Sequence, residues 1–421
     1  MTFDTALARL RAAHAAFERR YPGDSGARQP IHTVYGGADR FRADTARALG
    51  ERALAVLDEH APDAGTFAAA TGVPASLAAD IRRRVVAKLR HEPVEDFRLD
   101  FEDGYGSRPD AEEDGHAESA AAEVAAGHAA GTLPPFVGIR IKSLSGETAA
   151  RALRTLERFV TALVRRASAL PAGFVVTMTK IVSVEEAAVM ADVLASLEAG
   201  LGLARGAIPI EIMVETTQCV LDADGRSMLP RLVEAAAGRC RGAHFGTYDY
   251  TSGSDISAAH QGMRHPACEF AKQVMKTTLA GTGVWLSDGS TSVLPVGDRA
   301  AVHAAWRLHA DDVRHSLATG LYQGWDLHPA QLPTRYAAAY AFFREGLAAA
   351  SERMATFLAR ATGADAVDDP HAGQALLSYF LRAHSSGAID DDEVAAAGLT
   401  LAELEMRPFA RVVAARREAR T

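Results

Sequence analysis

Closely spaced cysteines are missing from the sequence. Its three cysteines, Cys219, Cys240 and Cys268, lie far apart, and none belongs to a Cys-x-x-Cys pair. Such pairs bind structural zinc or cycle between thiol and disulfide, so neither a zinc site nor a disulfide framework is indicated. This cysteine usage is typical of a reducing compartment, and we expect a cytoplasmic location.

Positive charge is in short supply as well. Lysine and arginine number 45 against 53 aspartate and glutamate residues, which gives a formal net charge of -8. Proteins that bind nucleic acid or an anionic membrane through charge carry a basic surface, so we expect neither partner. A small anionic substrate would need local arginine and lysine side chains in its binding site.

Long apolar runs and internal repeats are also absent from the sequence. No uninterrupted apolar run reaches the roughly 18 residues that a membrane-spanning helix needs. The first residues form an amphipathic helical pattern and not a charged region followed by an apolar core, so we expect no secretory signal segment. No repeat at solenoid spacing and no Gly-x-Gly-x-x-Gly fingerprint of a dinucleotide site is present.

What the sequence does contain is a regular alternation of short apolar strands and Ala-rich helices. Hydrophobic residues make up 48% of the chain and charged residues 23%, as in ordinary globular proteins. Strand candidates alternating with helices predict an α/β fold of the (β/α)8 barrel, or TIM barrel, class. The strand candidates begin at Pro30, Phe97, Phe136, Phe174, Ile208, Gly242, Gly283 and Leu321. The second is expected to run to Asp103 and to be followed by an acidic loop through Gly115, and a capping box of Ser183 and Glu186 is expected to begin the helix after the fourth.

Helical segments outside the barrel pattern are expected at three places. A leading helix runs up to Arg20, a helical insertion follows the first strand at about residues 40–92, and the chain turns helical beyond Thr334. We therefore expect a catalytic barrel domain at residues 1–333 and a C-terminal helical extension at residues 334–421.

The stretch from Ile208 to Asp249 holds two carboxylates at strand ends. One strand finishes in Glu215 and the next in Asp249, with an Ala-rich helix between them. In a barrel of alternating strands and helices, the carboxyl ends of the strands form the catalytic face. Two hard oxygen ligands there suit Mg²⁺ or Mn²⁺ better than zinc. The alternative for each residue is that it caps the following helix or pairs with an arginine.

Further charged residues stand in or at the ends of predicted strands. Arg140 lies in an otherwise apolar strand, so it should face a bound anion or form a salt bridge to an acidic residue such as Asp100, Glu102 or Asp103. Lys180 ends the fourth strand, where it could stabilise an anion, hold a carboxylate or, less attractively beside a metal, form a Schiff base. Asp103 and its acidic neighbours could orient water on the metal or transfer a proton. We expect Arg140, Lys180 and Asp103 to act in catalysis.

Taken together, these segments resemble those of a known family. Six motifs, in the same order across roughly residues 97–331, are similar to the strand motifs of the HpcH/HpaI aldolase and citrate lyase superfamily. They are Asp100-Phe-Glu-Asp103, Gly138-Ile-Arg140-Ile, Thr179-Lys180-Ile, Ile212-Met-Val-Glu215-Thr, Phe245-Gly-Thr-Tyr-Asp249 and Gly324-Trp-Asp-Leu-His328-Pro-Ala-Gln331.

The resemblance implies a carbon–carbon lyase that depends on Mg²⁺ or Mn²⁺ and is built on a (β/α)8 barrel. It implies that Glu215 and Asp249 hold the metal. Arg140 is then expected to bind the oxygen of a 2-oxo acid such as pyruvate, glyoxylate or oxaloacetate, or of its enolate. Gly246 and Thr247, in the motif that ends in Asp249, are expected to contact the substrate.

Departures from the family pattern bear on the substrate. The first strand reads Ile31-His-Thr-Val-Tyr-Gly-Gly37 where citrate lyase-like members have Arg-Ser-x-Leu-x-x-Pro-Gly, and an acidic run, Asp110–Asp114, replaces a basic one. Both changes remove cations that coenzyme A phosphates would need, which favours a free hydroxy or oxo acid over an acyl-CoA. The alternatives are a CoA-thioester lyase, a Claisen acyltransferase of the malate synthase type, and a non-catalytic protein that binds a metal or an oxo acid. We also expect a homo-oligomer.

Overall fold

Eight parallel strands close into a barrel in the computed structural model, which describes residues 2–361, 370–406 and 408–419. Each strand pairs with the next one along the chain and the last pairs with the first, so the predicted (β/α)8 barrel is confirmed. The strands, numbered in chain order, are β1 His32–Gly37, β2 Asp96–Asp100, β3 Phe136–Arg140, β4 Phe174–Met178, β5 Ile210–Val214, β6 Cys240–Phe245, β7 Trp285–Ser290 and β8 Gln323–Asp326.

Helices fill the connections between the strands and continue beyond the barrel. The predicted leading helix, the helical insertion after β1 and the helical C-terminal part are all present. Within the described residues, no helix combines the length and the apolar character that crossing a membrane requires. The helices are α1 Phe3–Arg20, α2 Thr45–His60, α3 Ala64–Thr71, α4 Ala75–His91, α5 Asp110–Ala130, α6 Ala149–Ala167, α7 Val184–Leu201, α8 Thr217–Val220, α9 Leu229–Ala235, α10 Thr247–Gly253, α11 Pro266–Leu279, α12 Arg299–Ala318, α13 Leu332–Ala361, α14 Pro370–Ser385, α15 Asp391–Ala396, α16 Leu401–Glu405 and α17 Phe409–Glu418.

The side chains of β2 show how alternation in the sequence builds the barrel wall. Leu99 is buried in the core between the sheet and the helices, whereas Asp100 points into the barrel. The strand, expected to run over residues 97–103, ends earlier, at Asp100. The reason is that the Asp100 carboxylate accepts hydrogen bonds from the backbone N–H groups of Glu102 (2.9 Å) and Gly104 (2.7 Å), which turn the chain out of the sheet.

The acidic run that follows this turn forms a helix and not the expected loop. α5 begins at Asp110, because acidic residues in a first turn interact favourably with the helix dipole. The carboxylates are also paired with cations from β3 and α6. Glu113 accepts a hydrogen bond from Lys142 Nζ at 2.7 Å, and Asp114 accepts one from Arg151 at 2.5 Å.

The helical insertion and the C-terminal helices pack on one another outside the first strands. Ile81 and Val85 are buried on one face of α4, which packs against α2, α3 and α13. α13 begins at Leu332, after β8 and a short turn, and also lies against α12. The expected division between residues 333 and 334 falls in the first turn of α13, and the two-domain organisation stays a prediction.

Charged side chains fill the barrel interior below the carboxyl ends of the strands. Arg98 is fully buried and forms ion pairs with Asp96 and with Glu211, the latter at 2.7 Å. Its Nε also donates a hydrogen bond to the Thr177 hydroxyl at 3.1 Å. Because these groups satisfy one another, the buried charges connect β2, β4 and β5 across the barrel interior.

Candidate active site

Glu215 stands immediately after β5, at the carboxyl end of the barrel. Its side chain is almost completely buried, and its Oε1 accepts a hydrogen bond from the backbone N–H of Lys180 at 2.6 Å. Burial and the negative charge of nearby Asp249 together raise the pKa of Glu215 to about 8. A cation between the two carboxylates would relieve their repulsion and favour the charged form of both.

Glu215 and Asp249 form a pair of oxygen donors suited to a hard divalent cation. Asp249 lies in the first turn of α10, and its side chain is partly exposed. Among the described residues, no group of three or more His, Cys, Asp or Glu side chains could hold a metal ion. A cation held by this pair would keep open positions for substrate oxygens and water. The donor set therefore fits Mg²⁺ or Mn²⁺, and it differs from the nitrogen and sulfur sets typical of zinc.

Gly246 gives Glu215 the room that it occupies. A Cβ atom at residue 246 would lie 2.5 Å from Cβ and 2.7 Å from Oε2 of Glu215, so a larger residue would displace the carboxylate. Thr247 follows as the first residue of α10 and lies against Gly289 of β7. Its buried hydroxyl has no hydrogen-bond partner within the described residues, which leaves a donor for a bound molecule.

Lys180 connects Glu215 and Asp249 to the acidic residues after β2. Its backbone is left-handed, with φ of 50°, a conformation that costs a residue with a Cβ atom roughly 1–2 kcal/mol. In this conformation the N–H group holds Glu215 while the side chain reaches other carboxylates. Lys180 Nζ donates to Glu102 and to Asp103 (3.1 Å) and lies 3.7 Å from Asp249 Oδ1.

The surroundings of Lys180 keep its ammonium group charged. Burial acts to lower the pKa of Lys180, but the hydrogen bond to Glu102 and the charges of Glu215 and Asp249 outweigh it and raise the pKa. A Schiff-base lysine needs a neutral amine, so this environment disfavours that alternative. The geometry suits an electrostatic role instead.

Arg140, at the end of β3, forms a bidentate ion pair with Asp100. Its Nε donates to Oδ1 at 2.8 Å and its Nη2 to Oδ2 at 2.5 Å. The remaining Nη1 lies 3.5 Å from Glu102 and 3.6 Å from Asp103, and the guanidinium stacks 4.8 Å from the centre of the Tyr35 ring. Of the two alternatives for Arg140 in the sequence, the salt bridge is therefore present, and binding of a substrate anion stays a prediction.

Glu102 and Asp103 share the same cations but differ in their acidity. Burial raises the pKa of Glu102 to about 7, in spite of the nearby charges of Arg140 and Lys180. For Asp103 burial acts in the same direction, but its hydrogen bond with Glu102 and the two cations keep its pKa below the ordinary value. Glu102 can therefore hold or release a proton near neutral pH, whereas Asp103 stays charged.

Two aromatic residues that the sequence motifs did not single out form a floor beneath Arg140. The rings of Tyr35 in β1 and Trp325 in β8 lie 4.6 Å apart, and the Tyr35 hydroxyl is 3.5 Å from Nδ1 of His244. The indole N–H of Trp325 is buried and finds no acceptor in the described part of the chain. The signal in the sequence was a large aromatic residue near the carboxyl end of the first and the last strand.

Arg40 supplies a cation at the same face of the barrel. It belongs to the short turn Ala38–Arg40 directly after β1, and its side chain is exposed. No hydrogen bond or ion pair engages it within residues 2–361, 370–406 and 408–419. The first strand contains no arginine, and Arg40 lies just beyond its end.

Two basic residues of α4, Arg84 and Lys88, are engaged in ion pairs away from the candidate site. Arg84 pairs with Asp80, and Lys88 pairs with Glu92 at 2.5 Å. α4 also leads into the amino end of β2, which is the opposite end of the barrel from Glu215. These cations therefore cannot serve a phosphate group at the candidate site.

Comparisons with solved structures find likenesses at low sequence identity and with TM-scores below 0.5. The Haloferax volcanii malate synthase magnesium/glyoxylate complex is 13% identical, over 74% of this chain and 76% of that chain, with a TM-score of 0.47. The citrate lyase beta subunit from M. tuberculosis, complexed with oxaloacetate and magnesium, is 16% identical over 76% and 99%, with a TM-score of 0.40. An HpcH/HpaI aldolase/citrate lyase family protein from Burkholderia cenocepacia J2315 is 13% identical over 79% and 96%, with a TM-score of 0.41. No conclusion about activity follows from these likenesses.

The sequence itself has a closer match among protein families. None of the curated proteins matches the chain. One family model matches residues 10–412, which include the whole barrel and most of the C-terminal helices. The chain therefore belongs to the family described as Domain of unknown function (DUF6986).

Proposed function

We propose that this chain is a divalent-metal-dependent lyase that breaks or forms a carbon–carbon bond next to a 2-oxo acid. The observation that carries the proposal is that Glu215, Asp249 and Arg140 lie close together at the carboxyl end of the barrel. The charges of Asp249 and Arg140 both affect the pKa of Glu215. Two oxygen donors beside a guanidinium suit an oxo acid whose keto oxygen gains negative charge during the reaction.

Glu215 and Asp249 would hold the cation. Mg²⁺ or Mn²⁺ in this position supplies Lewis-acid polarisation of the keto oxygen of pyruvate, glyoxylate or oxaloacetate. The backbone N–H of Lys180 orients Glu215 for this task, and Gly246 leaves the carboxylate its space. The Thr247 hydroxyl, buried and without a partner among the described residues, is available to the substrate.

The remaining charged residues would manage the substrate's charge and proton. In the cleavage direction a hydroxyl proton leaves the substrate, the carbon–carbon bond breaks, and its electron pair forms the enolate of the 2-oxo acid. The hydroxyl carbon becomes a carbonyl, and the enolate carbon later takes up a proton. Arg140 stabilises the developing charge through Nη1, and the pKa of about 7 suits Glu102 to exchange the proton, with Asp103 beside it.

A free hydroxy or oxo acid is the substrate class that we favour. Arg40 lies at the carboxyl end of the barrel and has no ion pair among the described residues. It would bind the carboxylate at the far end of such a substrate. The second candidate is a CoA thioester, because Glu113 and Asp114 of the acidic run are paired with Lys142 and Arg151, which weakens the repulsion of phosphates. Arg84 and Lys88 of α4, which are paired with carboxylates, do not support that candidate.

The proposal is tested by assaying cleavage of 4-hydroxy-2-oxo acids in one arm and of malyl- or citramalyl-CoA in the other. Released pyruvate or glyoxylate is measured with Mg²⁺, with Mn²⁺ and with excess chelator. We expect metal-dependent cleavage of the free acids, and full activity in chelator would contradict the metal role. Cleavage of the thioesters alone would identify the second candidate.

Variants of the two carboxylates separate binding from turnover. Glu215→Gln and Asp249→Asn should each weaken Mn²⁺ binding, measured by calorimetry, and abolish cleavage while the fold persists. Glu352→Gln, at an exposed site on α13, is the matched control and should leave both quantities unchanged. Metal and oxalate binding by the wild type without turnover of any substrate would identify a non-catalytic binding protein.

A further inference from the structure

α1 carries an apolar stripe that its own chain leaves uncovered. The helix lies wholly within the described residues, and none of its residues is buried. The exposed fractions of Phe3, Leu7, Leu10 and Phe17 are 90%, 47%, 53% and 61%. A helix of this length is marginal in water unless an apolar face is packed, so α1 requires a partner for its stripe.

The spacing of the stripe indicates what kind of partner fits. Phe3, Leu7, Leu10, His14 and Phe17 are separated alternately by four and by three positions. This is the 3.5-residue repeat of a two-helix coiled coil, in which an apolar seam packs against a second helix with the same repeat. A flat or irregular partner surface has no need of such a repeat. A second copy of α1 provides the matching seam.

We propose that two copies of this chain associate through α1, paired as antiparallel helices. In this register Leu7 of one copy packs against Leu10 of the other, and Phe3 packs against His14. The arrangement is two-fold symmetric, so each of these contacts occurs twice. The four leucines form its centre, and the aromatic rings close its two ends.

Charges beside the seam favour this register over its neighbours. Asp4 and Arg11 flank the seam on one side, and neither is engaged in an ion pair within the described part of its own chain. The antiparallel register sets Asp4 of each copy beside Arg11 of the other. Shifting the pair by one heptad would set Arg11 against Arg11 and Asp4 against Glu18, and a parallel pair would set Arg11 beside Ala6.

The one large apolar residue outside this overlap already has a contact. The Phe17 ring stacks on Tyr21, with centroids 4.8 Å apart. Tyr21 lies against Gly281, after α11 and before β7, and so ties the end of α1 to the amino end of the barrel. The pairing surface therefore projects from the end of the barrel opposite to Glu215, and it does not depend on the proposed lyase activity.

Sedimentation equilibrium of the full chain tests the interface. The wild type should associate, and the double variant Leu7→Glu, Leu10→Glu should reduce the mass of the assembly at the same concentration, to a monomer if α1 is the sole contact. Ala12→Glu, on the far side of the helix, is the matched control and should associate like the wild type. A monomeric wild type, or a double variant with unchanged mass, would overturn the proposal.

Charge reversal tests the register. Asp4→Arg and Arg11→Asp should each weaken association several-fold, and the combined variant should restore it, because the two charges exchange places across the seam. Cysteine cross-linking adds a second test: a mixture of Leu7→Cys and Leu10→Cys chains should form an intermolecular disulfide. Efficient cross-linking of Leu7→Cys chains with one another would show a parallel pair and contradict the register.

Discussion

Glu211 lies in β5 and Glu215 directly follows it; both are 2% exposed, and yet their pKa values are shifted in opposite directions. Glu211 accepts a hydrogen bond from Arg98 Nη2 at 2.7 Å and lies 3.2 Å from Arg241. Burial acts to raise its pKa, but these cations lower it well below the ordinary value. Glu215 receives one backbone N–H and faces Asp249, and its pKa rises to about 8.

The difference between the two pKa values distinguishes a structural carboxylate, Glu211, from a carboxylate that is suited to bind a ligand, Glu215. A buried charge with complete pairing rigidifies the structure, whereas a buried carboxyl group without a strong partner is tolerated only where something else binds it. The structural carboxylate and the candidate ligand are only four positions apart in the sequence. The boundary between the structural interior and the candidate site therefore passes between these two residues.

The largest expected effect is on the pH dependence of stability in metal-free protein. The folded state binds the Glu215 proton up to about pH 8, whereas the unfolded state releases it near 4.5, so the contribution of Glu215 to stability is fully present below 4.5 and is lost as the pH rises towards 8. A pKa difference of this size corresponds to roughly 5 kcal/mol as an upper bound. Chemical denaturation across this range should show the fall, Glu215→Gln should reduce it to the smaller fall that Glu102 contributes, and saturating Mg²⁺ should weaken it.

Replacing the two glutamates by glutamine sharpens the same comparison. Glu211→Gln removes one partner from a buried ion pair and should cost about 3–5 kcal/mol of unfolding free energy. Glu215→Gln, assayed near pH 7 without metal, should increase stability, because glutamine is neutral in the folded and the unfolded state and so removes the cost of keeping a buried carboxyl group protonated. Equal destabilisation by both variants in urea titrations would contradict the distinction between structural and ligand-binding carboxylates.

Arg140→Lys keeps the positive charge but removes the planar guanidinium, which binds Asp100 through two nitrogens and leaves Nη1 for the candidate site. We expect turnover to fall by an amount equivalent to about 2–4 kcal/mol in barrier, the range seen when an oxyanion donor is removed. Steady-state kinetics on the active substrate measure it. Unchanged turnover would mean that Arg140 serves only the salt bridge.

The smallest expected effect concerns the left-handed backbone of Lys180. Lys180→Gly and Lys180→Ala both lose the ammonium group, but only glycine adopts φ of 50° without strain. The glycine variant should therefore be more stable than the alanine variant by about 1 kcal/mol. Equal stability of the two variants would indicate that the chain relaxes here and that the N–H contact to Glu215 is not held by this conformation.

The fold followed from the sequence because strand and helix periods are local properties. The alternation of buried and inward-facing residues in β2, and the capping box of Ser183 and Glu186 that begins α7, needed no knowledge of distant contacts. The ends of strands and helices were predicted less well where a hydrogen bond from a side chain sets the end. Asp100 ends β2 by accepting two N–H groups, and the acids from Asp110 onwards start α5 instead of a loop.

Only part of the candidate site could be predicted from the sequence. Carboxylates and cations at strand ends could be named, but which of them touch depends on the register between strands. Arg98 reaches Glu211 across the barrel, and Tyr35 comes to lie under Arg140, through contacts between residues far apart in sequence. The opposite acidities of Glu211 and Glu215 follow from these contacts, so a single sequence could not have distinguished the two.

The space left by Gly246 sets a practical limit on redesign of this barrel. Even a methyl group there would push on Glu215, so a library that varies residue 246 would sample distorted carboxylate positions before it sampled new substrates. Tyr35 and Trp325 form the floor beneath Arg140, and neither has a hydrogen bond to that carboxylate among the described residues. Substitutions at these two aromatic residues offer a way to reshape the space beneath Arg140 while the oxygen donors stay where they are.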